Sequence, residues 1–257
     1  MVYNLFKTAK QGSFIANEVA EAPALEIYGK DKKISHRWLE KRPIQFTILA
    51  TIAILIGGVV EFIPTWLVKS NIPTIESVQP YTPLELEGRD IYIRESCNSC
   101  HSQLVRPFRS ETERYGEYSK AGEFVYDHPF LWGSKRTGTD LHRVGGKYSK
   151  MWHYIHMQDP RQMSPGSLMP KYPWLIEQQL DTELLPAKIS VMRTLGVPYE
   201  DGYENVAISD LQIQAQEITD DLLDSGILVE PDKEIVALIA YLQRLGTDIK
   251  VEQAENK

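Results

Sequence analysis

From Ile44 to Val68 the chain is almost wholly apolar, with an unbroken stretch at Phe46–Val60 (FTILATIAILIGGVV). Inside lipid such a segment has one stable arrangement, a helix that satisfies its own backbone groups. At about 1.5 Å of rise per residue it reaches roughly 37 Å, enough to cross a hydrocarbon core of about 30 Å. A cleavable signal peptide is one competing reading. Its apolar stretch would be short and near residue 10, whereas here a polar segment of mixed charge, 1–43, comes first. A buried core helix is the other, but few soluble helices are apolar on every face for four turns. The pattern predicts one transmembrane helix over 44–68.

The flanks set its direction. Lys30, Lys32, Lys33, Arg37, Lys41 and Arg42 precede the span, and only Lys69 lies close after it. Positive-inside bias places 1–43 in the cytoplasm and the rest outside, with Trp66 at the outer interface. Glu61 and Pro64 fall in the outer third. Glu61 has two readings, a carboxylate snorkelling to the interface or one facing a partner helix, and the sequence does not choose between them.

Residues 69–83 are Pro-rich and read as a linker, 84–250 as a soluble domain, and 251–257 as a tail. A first helix is expected over Leu84–Ser96, with Leu86, Ile91 and Ile93 buried. A last is expected over about Asp232–Leu245, where Ile235, Leu238, Ile239 and Leu242 recur at helical spacing. The stretch between them reads as loop-rich. The fold class is mainly α, folded around a central group. The net charge of -7 argues against nucleic acid as a partner.

The chain has two cysteines, and both lie in one pentapeptide, Cys97-Asn98-Ser99-Cys100-His101. A disulfide framework needs more, and a structural zinc site needs a second pair. C-x-x-C-H is the attachment pattern of c-type haem. Two thiols add to the haem vinyl groups, and the three-residue step lets one turn present both. His101 then offers a nitrogen to the iron. A redox dithiol needs no following His. Cys97, Cys100 and His101 therefore predict one covalent haem c.

A low-spin electron-transfer haem takes a sixth ligand, commonly a Met thioether. Met169 sits in a stiff loop, Ser164-Pro165-Gly166-Ser167-Leu168-Met169-Pro170, and is the expected ligand. Met192 fits a core gap-filler better, and Met151, Met157 and Met163 are less distinctive. His153 and His156 (WHYIH) share a face if helical; they and Arg161 are candidates for supporting contacts around the haem. His128 and His142 read as loop residues, and His36 lies on the cytoplasmic side.

Three segments resemble class I cytochromes c: Gly88-Arg89-Asp90-Ile91-Tyr92, Arg136-Thr137-Gly138-Thr139-Asp140-Leu141 and Ala240-Tyr241-Leu242. The resemblance implies that the first and last helices cross near Gly88. It also implies that the residue at Thr139, usually Pro, accepts the proximal imidazole N–H through its carbonyl.

A plain domain of that class is smaller, so extra material lies within 102–137 and 171–231. Its wording is specific. His101-Ser102-Gln103-Leu104-Val105-Arg106-Pro107-Phe108-Arg109-Ser110-Glu111-Thr112-Glu113-Arg114-Tyr115-Gly116, the run Tyr126 to Gly138 (YDHPFLWGSKRTG), and Met169-Pro170-Lys171-Tyr172-Pro173-Trp174-Leu175 closely resemble the mono-haem subunit of cbb(3)-type cytochrome c oxidases (the CcoO or FixO family). Ser96, where Gly is common, and the 1–35 extension depart from it. The resemblance implies a single-pass subunit of the bacterial inner membrane with a periplasmic haem domain. Electrons would come from a di-haem cytochrome c subunit or a soluble cytochrome c. They would leave for a multi-span haem–copper subunit that reduces oxygen to water and translocates protons; this chain, embedded in membrane lipid, holds no oxygen-reducing site. A stand-alone anchored carrier, the small subunit of a nitric oxide reductase, and a haem-based sensor are the alternatives.

Overall fold

The computed structural model describes residues 2–11, 36–68 and 73–250. Lys30, Lys32, Lys33, Lys69, most of the 1–35 extension and the 251–257 tail lie outside the described residues, as do the side chains of Arg37 and Trp66. The chain divides into two compact units, Met1–Leu67 and Val68–Lys257.

The first unit holds α1 (Val2–Gln11), α2 (His36–Glu40) and α3 (Pro43–Leu67). Pro43 opens α3, where its missing N–H would be unpaired anyway. Within α3, Pro43–Thr65 is long and apolar enough to cross a membrane, and none of its most apolar stretch is buried. Ile44, Ile54 and Phe62 are each more than 70% exposed, which no core helix of a soluble protein tolerates. Pro64 interrupts the ladder inside the helix, and Thr65 donates its hydroxyl to the Glu61 carbonyl at 3.0 Å beside the break.

The second unit is mainly helical, with no strand among the described residues. Its helices are α4 (Pro83–Arg94), α5 (Arg109–Tyr115), α6 (Lys150–Gln158), α7 (Pro160–Met163), α8 (Trp174–Glu177), α9 (Leu185–Thr194), α10 (Ala207–Asp224) and α11 (Glu234–Arg244). Thr82 caps α4, accepting from the Glu85 N–H while Glu85 accepts from Thr82, and Pro83 takes the first helical position. The helix ends at Arg94, two residues before the expected Ser96, because Ser96 adopts a left-handed φ of 56°.

α4 and α11 pack closest at Gly88. A Cβ there would lie 1.9 Å from the Ala237 carbonyl oxygen, so only glycine admits the crossing. Tyr92 meets Tyr241 edge-on, with ring centroids 5.3 Å apart. Leu86, Ile91, Ile235, Leu238, Ile239 and Leu242 are all buried, as their spacing predicts, and Ile93 is half-buried.

The stretch between the terminal helices is less irregular than its sequence reads. α9 and α10 lie within 171–231, and α10 is 18 residues long. Leu211, Ala215, Ile218 and Leu222 form its buried stripe. Gln, Asp and Glu crowd the other faces and dilute that signal.

Candidate functional site

The backbone after α4 delivers the attachment motif. Left-handed Ser96 turns the chain into a tight 3-10 turn over Cys97–Ser99. The N–H groups of Cys100 and His101 both bond to the Cys97 carbonyl, at 3.2 and 2.9 Å, which stacks the three side chains on one coil. Neither cysteine is in a disulfide. Burial pushes the Cys97 thiol up to about 12. A redox dithiol needs the opposite shift, since the thiolate is the attacking form.

His101 is held from one side by a loop 38 residues away. Its Nδ1 lies 2.8 Å from the Thr139 carbonyl oxygen. The Gly138 N–H donates to the Cys100 carbonyl at 2.9 Å. A Cβ on Gly138 would sit 2.1 Å from His101 Cε1, so the glycine forms a flat seat under the imidazole. Nδ1–H donates to Thr139, which leaves Nε2 as the nitrogen with a free lone pair.

Charged side chains on either side of Thr139 lock this loop to the segment that follows His101. Asp140 accepts from the Ser102 hydroxyl at 2.6 Å and from the Leu104 N–H at 2.9 Å. Arg136 donates to the Ser102 hydroxyl (2.6 Å), the Leu104 carbonyl (2.9 Å) and Glu111 (2.7 Å). The Arg136 guanidinium, with help from Arg106, holds the Glu111 carboxyl down at about 2. Gly133 passes close to the motif as well, where a Cβ would meet the Asn98 carbonyl at 2.8 Å.

These charges give the 102–137 segment a role inside the domain. Arg106, Glu111, Arg136 and Asp127, paired with buried Arg89 at 3.4 Å, brace the domain internally. The aromatics there divide. Phe124 is buried and stacks on His142, which lies in a turn, as expected, and is buried too. Phe130 and Trp132 stack 4.6 Å apart and stay exposed, as does Phe108.

Met169 is half-buried against the margin of the core. Its loop turns at Gly166, φ +83°, and is strapped to the end of α6. The Tyr172 N–H donates to the Met157 carbonyl at 2.9 Å, and Lys171 pairs with Asp159 at 2.6 Å. Met157 and Met192 are buried in the core. His153 and His156 both lie on α6, one turn apart, and burial holds both below the ordinary histidine value. Arg161 is exposed in α7, where its backbone N–H bonds to Asp159 at 3.2 Å.

The residues fit a covalent haem. Two unpaired thiols lie one turn apart, an imidazole is seated with Nε2 free, and a cradle at Gly138 excludes any side chain. The donor that the site itself presents is one imidazole, a nitrogen ligand of haem iron. Gly138, Arg136, Asp140, Ser102 and Glu111 act on this site without having been singled out for it in sequence. Arg136 and Asp140 bracketing Thr139 were the available signal.

The family model described as cytochrome C oxidase, mono-heme subunit/FixO, matches residues 36–249. No curated protein matches the chain significantly.

Proposed function

The chain belongs to the cytochrome c oxidase mono-haem subunit (FixO) family, and from that premise we propose that it is the single-haem electron relay of a cbb(3)-type haem–copper oxidase. Cys97 and Cys100 would hold the haem covalently, with His101 and Met169 as axial ligands. The haem, when bound, supplies a one-electron iron couple. The protein's part is to hold two ligands still. The Thr139 carbonyl orients the His101 ring and raises its basicity, and the Gly138 seat stops the ring from rotating. The straps from α6 to Lys171 and Tyr172 restrain the Met169 loop, so that a weak thioether ligand loses little entropy on binding.

The observation that carries this reading is the 2.8 Å contact from His101 Nδ1 to Thr139, which leaves Nε2 for iron. Electrons would enter from a di-haem cytochrome c subunit or a soluble cytochrome c and leave for the catalytic subunit. α3 would anchor the chain in the bacterial inner membrane. The basic residues ahead of it favour a cytoplasmic N-terminus and a periplasmic haem unit. A stand-alone carrier would gain nothing from the exposed Phe108 and the Phe130–Trp132 stack.

The direct test is Met169→Ala. The variant should keep its covalent haem but lose the Met–iron charge-transfer band, with a lower reduction potential. A retained band would mean that another residue is the ligand.

A further inference from the structure

His153 and His156 share an unusual condition. His153 is 2% exposed and its Nε2 has no hydrogen-bonding partner; the Nδ1 of His156 is likewise buried and unpartnered. Buried polar atoms in folded proteins are nearly always paired, because an unpaired one forfeits its bond to water. Two such atoms one helical turn apart share one side of α6. The rings cannot swing away to find partners. Trp152 stacks on His156 with centroids 4.4 Å apart, Tyr148 stacks on Trp152 at 4.0 Å, and both meet His153 edge-on.

Burial keeps both imidazoles neutral, with His153 lowered to about 4. Each therefore carries one N–H to give. The buried guanidiniums of Arg89 and Arg143 are committed to Asp127 and Glu123, and the half-buried Arg136 to Glu111. The loop that carries Met169 is tied to the same helix, through the Tyr172 N–H on the Met157 carbonyl at 2.9 Å and the Lys171–Asp159 pair at 2.6 Å, so this end of α6 lies beside that loop.

We propose that His153 and His156 clamp the two haem propionates, each imidazole donating its N–H to one carboxylate. The inference rests on the haem reading above and adds to it the residues that would hold the propionate edge. A dicarboxylate satisfies both orphaned nitrogens at once.

The test uses the full-length, haem-loaded protein with His153→Phe, His156→Phe and the corresponding Gln variants. Midpoint potential and the propionate bending vibrations in resonance Raman spectra are read together. Each Phe variant should lower the potential, because an unscreened carboxylate favours ferric iron, and should shift the propionate vibrations. The Gln variants, which keep an N–H, should recover part of both. Should the buried His153→Phe chain fail to fold, His156→Phe at the half-buried partner carries the same comparison. Haem-loaded Phe variants with unaltered potential and unaltered propionate vibrations would overturn the clamp and leave water as the partner. Loss of the Met–iron band with unaltered propionate vibrations would overturn it in favour of a contact to the axial ligand. Absence of that band from the unaltered protein would defeat the Met169 assignment alone, since the propionate vibrations are read independently.

Discussion

Ser96 holds a left-handed φ of 56°, the one non-glycine residue to do so among the described residues. A Cβ in that region costs about 1–2 kcal/mol, and glycine recovers it at some loss of chain entropy. Ser96→Gly should therefore stabilise the haem-loaded protein by about 1 kcal/mol, read from denaturant unfolding. Gly138 answers the opposite demand. Its substitution by Ala would drive a methyl into the His101 ring, so Gly138→Ala should bind haem covalently but lose the six-coordinate low-spin spectrum. An unchanged spectrum would show that the seat does not position the ligand. Cys97, Cys100 and His101 were legible because their chemistry demands a fixed local spacing. The Gly138 seat was not, because it exists only once a loop 38 residues away folds back onto the motif.

Among the elements, α4 and α11 were readable from their apolar repeats, and their crossing at Gly88 from the resemblance to class I cytochromes c. Gly88→Ala would place a Cβ against backbone, at Ala237, that cannot step aside. Overpacking of that kind costs about 1–3 kcal/mol, occasionally more, and thermal unfolding should show it without any change in the haem spectrum. α10 escaped notice because its buried stripe of Leu, Ala and Ile is spread thinly among polar residues. The link between α5 and the Thr139 loop was hidden for another reason, since an arginine in sequence does not announce its partner. That link has a pH signature. The Glu111 carboxyl is depressed in the folded protein, to about 2, first by Arg136. Its stabilisation is complete above the ordinary Glu value of about 4.3 and is lost as pH falls toward 2. Glu111→Gln should lower stability at neutral pH and flatten the acid limb of the unfolding profile over that window. An equally steep limb would assign the acid sensitivity to other groups.

At the scale of the whole molecule, two kinds of surface are exposed among the described residues. α3 exposes apolar side chains all round, and lipid answers most of that surface but not Glu61, whose carboxylate needs either the interface or a neighbouring helix. The haem unit exposes Phe108, Phe130 and Trp132, the last two stacked beside the segment that carries the attachment motif. Gln103, two residues after His101, donates its N–H to the Trp132 carbonyl at 2.7 Å, so this aromatic pair is rigidly mounted near the site. Fixed, exposed aromatics are what interface cores are enriched in, and order paid in advance makes docking cheaper. Gentle detergent extraction should accordingly recover this chain with a multi-span subunit that contains b haem and copper. Phe130→Ser with Trp132→Ser should weaken that association without altering the c-haem spectrum. The chain purified alone should accept electrons and consume no oxygen, and a complex lacking it should fail to oxidise cytochrome c. If extraction instead yields a stable monomeric carrier, active without b haem or copper, the electron relay proposed here ends outside an oxidase. The His101–Thr139 geometry, which depends on no partner, would be untouched by that result.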